Sequence, residues 1–153
     1  MARRIMLNGT SYFGQGAIQE IVNEIKNRHF KKVLVTSTPD LFEFKVATKV
    51  TDLLDAAGIA YDVYDNIKPN PTIENVTSGV AACKAAGAEA IVAVGGGSAI
   101  DTSKAIATIM TNPEFGDVRS LEGVAPTKHP CLPIIAVSTT SGTAAEVTIN
   151  YVI

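Results

Sequence analysis

Ala90-Ile91-Val92-Ala93-Val94-Gly95-Gly96-Gly97-Ser98-Ala99-Ile100-Asp101 sets five apolar residues against three consecutive glycines and the start of a helical pattern. A short apolar run bounded by glycine reads as a buried strand, and the glycines as a turn into the following helix. Glycine has no Cβ and tolerates positive φ, so such a turn lets a bulky anion approach the backbone. The helix adds unpaired N–H groups and the positive end of its dipole. Ser98 adds a hydroxyl. Two readings stay open: a pyrophosphate cradle for a dinucleotide, or a tight strand-to-helix turn that binds nothing. Three glycines in a row are costly for an ordinary turn, which favours the cradle. The spacing is neither G-x-G-x-x-G nor G-x-x-x-x-G-K-[ST], so neither a Rossmann nor a P-loop assignment follows from it.

Working outward, strands and helices alternate. Upstream, Lys32-Val33-Leu34-Val35-Thr36 and residues 60–64 read as strands. Ile18, Ile21, Val22 and Ile25 share one helix face, as do Val46, Val50, Leu53, Leu54 and Ala57, which Gly58 stops. Pro69-Asn70-Pro71-Thr72 is a rigid loop, with Thr72 as N-cap for a helix carrying Val76, Val80 and Cys83 and ending at Gly87. Downstream, a helix is expected over residues 99–111, loops over 112–117 and 123–130, and a strand over 133–137. Ile5-Met6-Leu7 is a further short strand candidate, and the terminal stretch 146–153 reads as strand. Apolar runs alternating with helices predict an α/β fold, a parallel sheet flanked by helices. Ligands on such sheets bind beyond the carboxyl ends of the strands. The loops 37–40, 95–98 and 138–143 are expected to gather there. A chain that stops inside a strand pattern reads as part of a longer polypeptide. Its covered face is then expected to be apolar at the terminal stretch and after Thr143.

Composition narrows the partners. The 153 residues are 46% hydrophobic and 18% charged, with a formal net charge of −2. That balance speaks against nucleic acid, which calls for a basic surplus. No stretch has the apolar length of a membrane span, and no signal-peptide core follows Met1-Ala2-Arg3-Arg4. Cys83 and Cys131 read as two reduced thiols, consistent with a cytoplasmic location.

Thr139-Thr140-Ser141-Gly142-Thr143 places four hydroxyls around one glycine after the strand 133–137. Hydroxyls can donate to phosphate or to a carboxamide; a plain polar turn is the other reading. Asp101 and Lys104 are expected in the first turn of the helix after the glycines. Asp101 can complement the dipole, order the glycine loop or face the cleft. A carboxylate beside a pyrophosphate repels it unless it points away, which favours the structural role. His29 and His129 have no companions at metal-ligand spacing and read as surface histidines. No Ser-His-Asp or Cys-His set is apparent.

Gly95-Gly96-Gly97-Ser98-Ala99-Ile100-Asp101-Thr102-Ser103-Lys104 and Thr139-Thr140-Ser141-Gly142-Thr143-Ala144-Ala145-Glu146-Val147-Thr148 resemble two N-terminal signatures of the iron-containing (group III) alcohol dehydrogenases. Pro69-Asn70-Pro71-Thr72 matches a third element of that family. The resemblance runs over all 153 residues. It implies the dinucleotide-binding N-terminal domain of the dehydroquinate synthase-like/iron alcohol dehydrogenase fold, residues 1–153 here, followed in the family by a longer helical domain. It implies hydride transfer between NAD(P)H and a small aldehyde or alcohol. The family's Fe2+ ligands, an aspartate and three histidines, belong to the helical domain, and neither His29 nor His129 inherits that role. It implies a homodimer paired through residues 5–7.

By the same resemblance Gly96, Gly97 and Ser98 hold the pyrophosphate. Thr139, Thr140 and Thr143 contact the phosphates and the nicotinamide side. Asn70 lies near the adenosine ribose, and Asn150 approaches the nicotinamide and substrate cleft. Thr38 stands where a relative has an acid that binds the ribose hydroxyls and repels a 2′-phosphate. A hydroxyl there leaves NAD expected and NADP possible, with Asp40 near enough to supply an acid. Two alternatives stay open: a non-catalytic nucleotide-binding module, or a related glycerol or butanol dehydrogenase on the same fold. Thr139-Thr140-Ser141-Gly142-Thr143 and Asn112-Pro113-Glu114-Phe115 weigh against the glycerol enzyme.

Overall fold

The computed structural model describes residues 9–153. The strand expected at residues 5–7, and the dimer contact assigned to it, lie outside them. In chain order the elements are α1 (Glu20–Asn27), β1 (Lys32–Thr36), α2 (Pro39–Glu43), α3 (Thr48–Ala56), β2 (Ala60–Tyr64), α4 (Ile73–Ala86), β3 (Ala90–Gly95), α5 (Gly97–Thr111) and β4 (Ile134–Ser138). The strands form one parallel sheet in the order β2-β1-β3-β4. This is the expected α/β architecture.

Burial follows position in that order. Central β3 is buried along its whole length, and Val33, Leu34, Val35 and Thr36 of β1 are buried as well. β2 lies at the edge, and most of its residues are open. One core forms where α4 and α5 cover Leu34 and Ile91. The other lies on the opposite face, where α1 and α3 cover Val33, Val35 and Val92 with Ile25, Val50 and Leu54. Continuous apolar runs in β1 and β3 are what two covered faces demand.

Three local expectations change. α2 occupies part of the expected loop 37–40: Thr38 is its extended N-cap, and Pro39 fits the first helical turn because its missing N–H has no helical acceptor there. α3 starts at Thr48 rather than near Val46, because Lys45 turns the chain at φ 56°. The terminal stretch 146–153 is not a strand. A short 3-10 turn, Ala145–Val147, is followed by irregular chain. Gly142 at φ 114° and Ala144 at φ 53° swing it off the sheet, and Tyr151 and Ile153 settle against the α4–α5 core. Of its alternating apolar residues, Tyr151 and Ile153 pack on helices and Val147 and Ile149 are exposed; none pairs in a ladder.

Candidate functional site

The four strands among the described residues run parallel, so their carboxyl ends lie on one edge. β1 connects outward to β2 on one side and β3 lies on the other, which makes the crevice between β1 and β3 the switch point where ligands bind in such sheets. Three hydroxyls fasten it. Ser37 Oγ donates to the Val94 carbonyl at 2.9 Å. Thr36 Oγ1 and Ser103 Oγ lie 2.7 Å apart, and Ser103 Oγ also donates to the Ala99 carbonyl at 2.6 Å. Thr36, Ser37 and Ser103 are fully buried, so the bonds tie the end of β1 to β3 and α5 without competition from water. Ser37 opens the loop 37–40 expected at this edge; for Thr36 and Ser103 the readable signal is a polar residue at a strand end and one among the apolar residues of a helix.

The glycine turn leaves β3 at Gly95, whose φ is 149°. A Cβ there would lie 2.7 Å from Ala99 Cβ. α5 begins at Gly97 with no side chain capping it, and its first backbone bond is Ile100 N–H to the Gly96 carbonyl at 3.1 Å. The amides before Ile100 therefore have no helical acceptor and stand at the positive end of a 15-residue helix.

The hydroxyl loop 139–143 lies against this turn. The Thr139 N–H donates to the Gly95 carbonyl at 3.0 Å. A Cβ on Gly96 would come within 2.8 Å of Thr140 Oγ1, and one on Gly97 within 3.2 Å of Thr143 Cγ2. The missing side chains thus serve two purposes, bringing the threonine loop onto the turn and leaving the backbone accessible.

Gly97, Ser98, Asn70, Thr143 and Asn150 line one open groove of about 570 Å³. Thr38 sits at the end of β1, beyond the groove's lining, and Gly96, Thr139 and Thr140 form the turn behind it. Asn70 is held in a left-handed turn, φ 55°. The buried Asn75 anchors its loop by donating Nδ2 to the Asn66 carbonyl at 2.7 Å and accepting the Thr72 N–H at Oδ1 at 3.2 Å. Asn75 was not singled out from the sequence.

Asp101 falls in the second turn of α5, so it does not complement the dipole at the first. One of its oxygens, Oδ1, accepts from Lys104 Nζ at 3.3 Å, and the other, Oδ2, accepts from the Val152 N–H at 3.1 Å. The expected capping role is therefore not the one it plays: it lines the groove and ties the terminal stretch to α5. Burial pushes the Tyr151 phenol above its ordinary value, neighbouring Cys131 adds to the shift, and Thr108 opposes it. His29 and His129 are exposed. Both cysteines are free thiols, and burial raises Cys83 to about 11. Among the described residues no group of three His, Cys, Asp or Glu side chains could hold a metal ion. Nor is any helix among them long and apolar enough to cross a membrane. Val147, Ile149 and Val152 are exposed on the stretch after Thr143.

The family model described as iron-containing alcohol dehydrogenase matches residues 8–153. The chain belongs to the iron-containing alcohol dehydrogenases. It is 52% identical over 153 residues to lactaldehyde reductase of Escherichia coli (strain K12), covering 100% of this chain and 40% of that protein. It is also similar to the solved alcohol dehydrogenase from Oenococcus oeni, with a TM-score of 0.87 and 34% identity over 96% of this chain and 38% of that one. Sulfoacetaldehyde reductase from Bifidobacterium kashiwanohense, solved in complex with NAD+, matches with a TM-score of 0.84 and 28% identity, over 97% of this chain and 39% of its own. The chain spans about 40% of the length of the curated lactaldehyde reductase. These relatives are enzymes, and the fold they share with this chain is that of the family's dinucleotide-binding part.

Proposed function

We propose that residues 1–153 act as the cofactor-binding domain of an NAD(P)-dependent alcohol dehydrogenase. Its substrate pair is a small aldehyde and its alcohol, lactaldehyde and propane-1,2-diol by similarity to the relative of that name. The observation that carries the reading is the distribution of unused polar groups. The side chains of Thr38, Asn70, Ser98, Thr139, Thr140 and Asn150 have no hydrogen-bond partner among the described residues. All lie along one sheet edge, beside a backbone that glycine leaves open. Asn70, Thr139, Thr140 and Asn150 are exposed, so they are free to exchange water for a ligand's polar groups.

Gly96, Gly97 and Ser98 receive the pyrophosphate at the α5 N-terminus. Thr139, Thr140 and Thr143 close on the phosphates, Asn70 takes the ribose, and Asn150 meets the nicotinamide end. Thr38 faces the adenosine ribose without charge, so NAD is preferred and NADP tolerated. When bound, the nicotinamide supplies hydride, and Fe2+, held by residues outside this chain, polarises the carbonyl. The residues described here bind and orient. The 153-residue chain alone is expected to bind nucleotide weakly and to catalyse nothing. The full-length protein is read as a cytoplasmic homodimer.

The test is titration of the full-length protein with ADP-ribose and NADH, followed by a lactaldehyde reduction assay with Fe2+ present. Binding of both ligands and NADH-dependent reduction are expected. Nucleotide binding without any dehydrogenase activity would favour a non-catalytic module. Activity on glycerol with Zn2+ instead would move the protein to a related enzyme on the same fold.

A further inference from the structure

Thr148, Asn150, Tyr151 and Val152 line the groove without joining any strand, and two side chains of α5 hold this stretch there. Lys104 Nζ donates to the Asn150 carbonyl at 2.8 Å, to Thr148 Oγ1 at 3.0 Å and to Asp101 Oδ1 at 3.3 Å. An ammonium has three protons, and each finds an acceptor. Asp101 Oδ2 takes the Val152 N–H. The pair is not an ordinary exposed i,i+3 contact, which would be worth little. Lys104 is 12% exposed and Asp101 15%. Charges so far withdrawn from water are tolerated where they are paired and hydrogen-bonded, and here most of the bonds reach the terminal stretch.

Asp101 lines the groove beside Ser98, but Lys104 does not. Any effect of Lys104 on a ligand must pass through what it holds. It holds the backbone carbonyl of Asn150, whose carboxamide has no partner among the described residues and which lines the groove. We propose that Lys104, with Asp101, is a positioning residue that sets where Asn150 meets the nicotinamide end of the ligand. The inference rests on the reading of the groove as a nicotinamide dinucleotide site. It adds that the two ends of the ligand are held independently: the pyrophosphate by the sheet's own turn, the nicotinamide by a strap fixed from the helix.

The experiment is a double-mutant cycle in the full-length protein with Lys104→Met and Asn150→Ala. Lys104→Met is expected to lower kcat on the order of tenfold to a hundredfold, the range a small displacement at a reacting centre produces. Asn150→Ala is expected to do the same, and the double variant no worse than either alone, because one acts through the other. Affinity for ADP-ribose, which lacks the nicotinamide, should stay within about twofold of wild type in all three. Additive losses in the cycle overturn the proposal. So does an ADP-ribose affinity that falls with kcat, since that result means Lys104 merely neutralises Asp101 beside the phosphates. If Lys104→Met does not fold, hydrogen exchange on the wild type decides. A protected Val152 amide supports the strap, and exchange at the rate of open chain removes it. Failure of wild type to bind ADP-ribose at all defeats the dinucleotide reading and this inference with it; binding with an additive cycle defeats only this one.

Discussion

The glycine turn and the terminal stretch face each other across one groove and are held by opposite means. The turn at residues 95–98 is the continuation of a buried central strand. Its geometry is set by the β3–β4 ladder, whose last pair is Gly95 with Ser138, and by the Thr139 N–H on the Gly95 carbonyl. The stretch 148–152 has no ladder. Its backbone groups go to two charged side chains of α5, and its apolar residues divide between the core, at Tyr151, and the surface, at Ile149 and Val152. Backbone fixed by a sheet is hard to move without unfolding; chain tied by side chains can be retuned one residue at a time. The half assigned to the pyrophosphate is of the first kind, and the half assigned to the reacting end is of the second.

The sharpest way to break that contrast is Gly95→Ala. A Cβ at φ 149° lies 2.7 Å from Ala99 Cβ, so both strain and overlap oppose it. A loss of about 2–4 kcal/mol in unfolding free energy is expected by denaturant titration. A wild-type midpoint would show that the turn is not rigid. Next comes Gly97→Val, where the nearest atom is Cγ2 of Thr143 in an exposed loop, at 3.2 Å. The fold should survive, while two methyls intrude on the pyrophosphate path. ADP-ribose affinity is expected to fall roughly tenfold to a hundredfold. Unchanged affinity would mean the ligand does not touch this backbone.

A smaller effect probes the loop after β1, outside both halves. Thr38→Asp should raise the preference for NADH over NADPH, in kcat/KM, by roughly tenfold through repulsion of the 2′-phosphate. An unchanged ratio would take Thr38 away from the ribose. The smallest test uses alkali. Tyr151 titrates above its ordinary value of 10.0 because it is half-buried in the folded chain. A phenol with a raised folded value supports the fold fully below its unfolded value and loses that support as pH rises through the folded one. Protection in the terminal stretch, taken relative to the base-catalysed rate of open chain, should therefore fall above about pH 10 while the β3–β4 ladder beneath the glycine turn keeps its protection. Simultaneous release would show that the two regions are one unit.

The same contrast explains what could be read in advance. β1, β3 and β4 carry unbroken apolar runs, and glycine after β3 has few alternative uses, so sheet, turn and hydroxyl loop were all legible. The stretch 146–153 was misread because Val147, Ile149 and Tyr151 alternate like strand residues. Alternation reports which sides are apolar, not what pairs with the backbone, and here the partners are side chains 46 and 51 residues away. Asn75 and Ser103 were missed for a related reason. A buried hydrogen bond is made by two residues, and only one of them is visible at a time along a sequence.

The switch point also carries a cost in time. Ser37 and Val94, joined across it, are 57 residues apart. A ribosome adding roughly 5–20 residues per second needs roughly 3–11 s to deliver the second after the first. During that interval Val33, Leu34 and Val35 have only β2 beside them, so the edge that later receives the central strand is an open template. The crevice assigned to the ligand is, while the chain is being made, an open seam.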